Sequence, residues 1–288
     1  MNENKNEVLI EEEKEEKIIE MKQKDEQGWE EKDKKDIKRG FLYGLYNEGN
    51  QCYAIVIVQA ILSIHILYKI LDLENTENKA AKELVKIANK LKTATTDCTA
   101  LIKIIRDKSR EDGEELFKVN RQCDAPEFLR HLINNLDGDI KEQVLFKEVH
   151  KEICPGCSFE RIDDFETIHI TKNIPIKKHE LNDVIQTLRE ELAEGNEIED
   201  DTCEKCKEHN KYSKPTVSSP PNVLILQMSL WDEYNMKISP KMKYDKEFEL
   251  EGKKYELSAI VIHEGGTPKS GHYICFVRDI YGFWVKVG

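Results

Sequence analysis

The chain has 288 residues, 35 % of them charged, and its 56 acidic side chains outnumber 44 basic ones to give a net charge of −12. That length can bury a sizeable core in one or two domains. The acidic balance argues against nucleic acid and anionic membrane as partners and would favour basic ones. In chain order, residues 1–38 are almost wholly Glu, Lys, Asp, Asn and Gln, a composition that cannot bury enough apolar surface to offset chain entropy, so a disordered or transiently helical tail is expected there. From Gly40 the composition becomes globular. Residues 52 to about 145 read as helices: "ENKAAKELVKIANKL" has helical spacing, "TTDCTALIKIIRD" opens with a capping residue, and "DAPEFLRHLINNL" places Pro126 in a first turn. From about 146 short strands and turns take over. "FETIHITKNIP" alternates, "PPNVLILQMSL" looks like a buried strand after a proline turn, and "KYELSAIVIHEGG" with "HYICFVRD" suggests a hairpin. Helices followed by strands predict an α+β architecture with segregated halves.

No apolar core marks the first residues as a secretory signal, and the longest apolar stretch, Tyr53 to Ile64, falls short of the roughly 20 residues of a membrane span. Eight cysteines in such a chain point to metal binding or catalysis rather than disulfides. The expectation is a monomer of the cytoplasm, the nucleus or both.

"CPGC" (Cys154, Cys157) and "CEKC" (Cys203, Cys206) are two Cys-x-x-Cys pairs about forty-five residues apart. Each pair can present two thiolates from one tight turn, and two such turns complete a tetrahedral four-sulfur zinc site. Pro155 and Gly156 suit the turn, and Lys205 and Lys207 place positive charge near thiolates. A redox Cys-x-x-Cys normally opens a helix in a βαβ setting, which is absent. One structural zinc is expected, with no ligand position left open for catalysis.

In "GLYNEGNQCYAIVIVQAILSI" a cluster of turn residues runs directly into an apolar segment, and Cys52 sits at the seam. If the segment is a buried helix, its free N-terminal N–H groups and macrodipole stabilise a thiolate. The β-branched "IVIV" is then a propensity conflict that burial overrides. Asn47 is a candidate donor to an oxyanion. A cysteine nucleophile needs a base, and His272, after Ser270 and Gly271 and at the start of an apolar strand, is the candidate.

Together these segments resemble the ubiquitin-specific protease family, papain-like deubiquitinating cysteine peptidases with a helical thumb, a β-rich palm and zinc-bearing β fingers. "GLYNEGNQCY…Q" is similar to that family's cysteine box, "RQCDAPEFLRHLINNL" to its QQDAxEFLxxLLxxL segment, "PPNVLILQMSLW" to its strand ending in Lys-Arg-Phe, and "LSAIVIHEGGTPKSGHYICFVRD" to its histidine box. The resemblance implies Cys52 as nucleophile, His272 as base, Asn47 as oxyanion-hole residue and Gln59 at its expected place. It further implies Asp124 and Tyr273 beside the ubiquitin tail, and the paired cysteines as the fingers zinc site. The implied function is thiol-dependent hydrolysis at the C-terminal glycine of ubiquitin, with ubiquitin and ubiquitinated proteins as partners. The implied domain runs over 39–288, its thumb about 39–145 and its fingers and palm about 146–288.

The chain departs from the family pattern at several places. Ile55 and Val56 stand where Asn and Ser are common, Gln-Gln has become Gln122-Cys123, and Lys-Arg-Phe has become Ser229-Leu230-Trp231. The third catalytic residue of the family lies four residues after a strand tryptophan. Counted from Trp284 that position is Gly288, so no carboxylate or amide is carried over, and Asp279 follows His272 too soon to replace it. Three readings stay open: a Cys-His dyad, a ubiquitin-binding pseudoprotease, or a chain that continues beyond "WVKVG".

Overall fold

A computed structural model describes residues 43–287 apart from 74, 75, 137, 179, 208, 235, 268, 269 and 279–282, and the side chains of 72, 73, 163–165 and 200 are likewise undescribed. The tail expected over 1–38, together with Asp279 and Gly288, lies outside the described residues.

The first half is helical. It contains α1 (Cys52–Ser63), α2 (His65–Leu73), α3 (Lys79–Leu91), α4 (Thr99–Glu111), α5 (Ala125–Asn134) and α6 (Gly138–Val144). Every residue of α1 except Ala60 is buried. Burial on all sides makes "IVIV" helical against its intrinsic preference, because each branched side chain removes apolar surface from water in every direction. Tyr53, Phe117 and Phe128 pack edge-to-face or stacked beneath it at centroid distances of 5.3–5.9 Å. Asn78 caps α3 by accepting from the amides of Ala80 and Ala81, and Asp124 caps α5 by accepting from Glu127 N at 2.7 Å. Among the described residues no single helix is long and apolar enough to cross a membrane, and α1 and α2 meet at an 89° bend.

Strands begin at Phe146. β1 (Phe146–Ile153), β2 (Glu160–His169), β5 (Asn196–Thr202) and β6 (Asn210–Ser219) form an antiparallel sheet in the order β2-β1-β6-β5. The "FETIHITKNIP" segment is divided between β2 and the short β3 (Lys172–Ile174), and β4 (Leu181–Asp183) leads into α7 (Val184–Ala193), a helix that interrupts the β half. "PPNVLILQMSL" contributes only β7 (Leu226–Met228), half-buried and parallel to β3. β8 (Lys241–Lys243) pairs in parallel with β4, β9 (Glu247–Leu250) and β10 (Lys253–Glu256) pair with each other, and β11 (Ala259–Thr267), β12 (Ser270–Arg278) and β13 (Trp284–Val287) form a separate antiparallel sheet. Cys275 and Val277 of β12 enter the same apolar core as α1. Phe146, Ile174, Leu188, Leu192, Val217 and Leu250 form a second core beneath α7.

Charges knit the four-stranded sheet together. Lys211, with its side chain 3 % exposed, lies 2.8 Å from Glu152 and 2.9 Å from Asp201. Those two carboxylates raise the Lys211 pKa above its ordinary value, Glu152 contributing most. Glu148 is similarly enclosed and lies 2.7 Å from Lys172. Removing one partner of an enclosed pair strands the other charge. Lys211→Met is expected to cost about 3 kcal/mol in urea unfolding, toward the low end for such changes because Asp201 is partly solvated. A cost near zero would show that this cluster is surface decoration.

Candidate functional site

Cys52 is the first residue of α1 and is 4 % exposed. The loop before it is pinned on several sides. Tyr46 N donates to Thr96 O at 2.9 Å, Gln51 Nε2 donates to Thr99 Oγ1 at 3.1 Å, and Asn50 Nδ2 donates to Asn120 O at 3.0 Å. Gly49 and Asn50 both take positive φ, which glycine and asparagine adopt at low cost. Asn47 is exposed, and its side-chain oxygen accepts from Gly49 N and Gln51 N at 3.0 and 3.1 Å. That shapes the loop and leaves its Nδ2 as the group able to donate elsewhere. Gln51 offers no side-chain cap to α1, so the helix opens with its amide donors uncovered by a capping side chain.

Opposite α1 stands the β11–β12 hairpin. Its register places His263 opposite Tyr273 and Glu264 opposite His272. A narrow cleft lies between the two, lined by Cys52, Gln122 and Cys123 on the helical side and by His263, Ser270, Gly271 and Tyr273 on the sheet side. Its cavity of ≈ 10 Å³ has room for about one water. Gly271 and Tyr273, the two neighbours of His272, thus face Cys52 across the cleft, while His272 itself and Asn47 are not among its lining residues. Tyr273 OH points to Asp124 Oδ2 over a long 3.5 Å, and the other Asp124 oxygen caps α5. Burial, followed by the Asp124 charge, holds the Tyr273 phenol above its usual range.

Three features of the cleft escape a reading by motif. Gln122 donates from Nε2 to Gly271 O at 2.6 Å and accepts from Gly271 N at 2.9 Å, a two-point grip on the residue before His272. Nothing local in the sequence reveals a pairing across 149 positions. His263 packs against Tyr273 at 4.7 Å and Trp231 at 5.6 Å between ring centroids. Burial, then the Lys237 charge, lowers its pKa despite the opposing pull of Asp124. Counting the hairpin register back from Tyr273 would have placed it in the cleft. Cys123 brings a second thiol to the wall, its pKa raised mainly by burial. By contrast, Cys98 and Cys275 lie in the apolar core, where burial pushes each up to about 12, so they behave as inert hydrophobes.

The four paired cysteines meet at one end of the four-stranded sheet. β1 ends at Ile153 and β5 at Thr202, and Ile153 also pairs with Tyr212 near the start of β6. The two hairpin turns are therefore neighbours. They are also alike: Ser158 N donates to Cys154 O at 2.9 Å and Lys207 N to Cys203 O at 2.8 Å, and Ser158 and Lys207 both take positive φ. The four sulfurs lie within 4.8 Å of one another, with Cys154–Cys206 and Cys157–Cys203 each at 3.6 Å. A tetrahedral zinc with Zn–S bonds of about 2.3 Å requires sulfur–sulfur edges of roughly 3.8 Å. Lys205 N also points at Cys203 Sγ from 3.3 Å, as an amide does toward a thiolate. The donor set and its spacing are compatible with zinc.

A buried helix that opens on a cysteine, faced by a histidine-bearing hairpin and flanked by a separate cysteine-tipped sheet, is the arrangement of a papain-like cysteine peptidase domain. The ubiquitin carboxyl-terminal hydrolase family matches residues 43–287, and the chain belongs to that family. Its helical half corresponds to the thumb, the sheet of β1, β2, β5 and β6 to the fingers and the β11–β13 sheet to the palm. The chain is 25 % identical over 201 residues to the probable ubiquitin carboxyl-terminal hydrolase 16 of Schizosaccharomyces pombe, covering 59 % of this chain and 43 % of that protein. It is 26 % identical over 202 residues to ubiquitin carboxyl-terminal hydrolase 25 of Arabidopsis thaliana, covering 59 % of this chain and 30 % of that protein. The chain thus spans less than half the length of either relative. Its fold is similar to that of the SAGA DUB module of Ubp8, Sgf11, Sus1 and Sgf73 bound to monoubiquitin, with a TM-score of 0.70, 19 % identity, and coverage of 94 % of this chain and 69 % of that one.

Proposed function

We propose that this chain hydrolyses peptide and isopeptide bonds at the C-terminal glycine of ubiquitin, with Cys52 as nucleophile. The observation that carries the reading is that Cys52, at the open N-terminus of α1, lies across a cleft from the hairpin strand that bears His272. Cys52 attacks the glycine carbonyl while His272 takes the thiol proton and later returns it to the leaving amine. The negative charge on the carbonyl oxygen is met by amides at the start of α1 and by Asn47 Nδ2. Asp124 and Tyr273 hold the incoming tail. Cys154, Cys157, Cys203 and Cys206 hold zinc, which braces the fingers and takes no part in the chemistry, since four protein ligands leave no open position. None of the eight cysteines is joined in a disulfide, in keeping with the proposed place of action in the reducing cytoplasm or nucleus.

A ubiquitin bearing a C-terminal electrophile tests the proposal. The chain is expected to become covalently labelled, and Cys52→Ala is expected to abolish labelling while retaining ubiquitin in a pull-down. Retention without labelling of the native chain would establish a binding module instead. Neither labelling nor retention would remove ubiquitin from the account.

A further inference from the structure

The second cysteine turn carries a donor that the four-sulfur pattern does not include. His209 follows Cys206 by three residues, and its Nδ1 lies 3.7 Å from Cys206 Sγ, nearly the spacing between the paired sulfurs themselves. Its backbone oxygen accepts from Cys203 N at 2.8 Å, which anchors the residue to its own turn. The ring crosses to the other turn and lies over Gly156. A Cβ at residue 156 would stand 2.4 Å from Nδ1, 2.6 Å from Cε1 and 2.9 Å from Cγ. Glycine at that place is thus matched to the imidazole rather than to the turn alone, and the ring is wedged between the two cysteine pairs. His209 lies beside the four-sulfur cluster on the Cys206 side and is not one of its members.

We propose that His209 is a fifth donor of this metal centre. With four sulfurs in place, its ring N–H donates to the Cys206 thiolate and holds that ligand in position, as outer hydrogen-bond partners do at metal sites. When Cys206 is lost, the neutral imidazole takes the vacated position and the site becomes three sulfurs and one nitrogen, a donor set zinc accepts equally well. The asymmetry is specific: among the described residues the His209 ring lies against the Cys206 sulfur and not against that of Cys203.

The proposal rests on the zinc reading, and cobalt-grown full-length protein tests the two separately. The native chain is expected to hold about one cobalt with the absorption of a tetrahedral four-thiolate site; a native chain that holds neither cobalt nor zinc would overturn both readings. Cys206→Ala is expected to keep close to one cobalt with a three-thiolate, one-nitrogen spectrum. Cys203→Ala and the double variant Cys206→Ala with His209→Ala are expected to lose most of it. His209→Ala alone should release zinc to a chromophoric chelator roughly 10-fold faster than the native chain, in line with the loss of an outer partner. A folded Cys206→Ala as empty as Cys203→Ala would overturn the proposal. Should Cys206→Ala fail to fold, zinc release from His209→Ala at the native rate would overturn it.

Discussion

Gly271→Ala is expected to lower ubiquitin hydrolysis by about 100-fold or more while leaving most of the protein folded. Gly271 has φ +156°, and a Cβ there would stand 2.4 Å from Glu264 O and 2.5 Å from His263 Nε2. The first of these neighbours is backbone, fixed by the pairing of Glu264 with His272 in the hairpin, so it cannot swing aside. The start of β12 must move away from β11. That shift carries His272 with it and breaks the two-point grip of Gln122 on Gly271. A displacement of about 1 Å at a reacting group is enough to cost two orders of magnitude. Strain of this kind costs only about 1–3 kcal/mol in stability. Hydrolysis of a fluorogenic ubiquitin substrate, read beside a thermal melt, checks the claim. Activity within a few-fold of the native chain would mean that the hairpin yields without moving His272.

Removal of zinc is expected to unfold the fingers and spare the thumb. Structural zinc in small fingers contributes about 10–16 kcal/mol, comparable to the whole stability of an ordinary domain. Away from their cysteine turns, β1, β5 and β6 are tied by the enclosed Lys211 cluster, and the sheet buries rather little apolar surface, since Ile162, Ile168 and Tyr212 remain exposed. The thumb has its own core around α1 and does not depend on that sheet. After chelation, hydrogen exchange should accelerate sharply over 146–169 and 196–219 while α3, α4 and α5 keep their protection. Unchanged exchange in the fingers would show that the sheet stands without metal.

The sequence made the helical half legible through apolar residues at helical spacing and Pro126 in a first turn, while the caps Asn78 and Asp124 are seen only in the structure. The helix at Cys52 was readable only by setting burial above propensity. The β half was harder. α7 lies between short strands in "VIQTLREELA" and was missed, and "PPNVLILQMSL" is a long apolar run of which only Leu226–Met228 finds a strand partner. Apolar runs report burial, whereas strand length depends on which partner lies alongside, and that is a tertiary fact. The cysteine cluster was legible because its spacing is local to each turn. The cleft wall was less so, since Gln122 and Gly271 meet through folding, and His209 was passed over because two Cys-x-x-Cys pairs already complete a ligand set.

The bond between Gln122 and Gly271 amounts to one rung of an antiparallel ladder in which a side-chain amide takes the place of a strand. It spans the seam between thumb and palm at the cleft, beside the apolar core that Cys275 and Val277 share with α1, so the open side of the seam is latched by polar groups. An extended peptide drawn through that seam carries the same donor and acceptor in its own backbone. Its entry is an exchange of one amide for another, and hydrogen bonds that are swapped rather than lost change the free energy by little. On the proposed function, the latch is expected to keep a slender gap ordered when empty and to yield to a chain slim enough to present bare backbone, such as one ending in glycine, while excluding a bulkier segment.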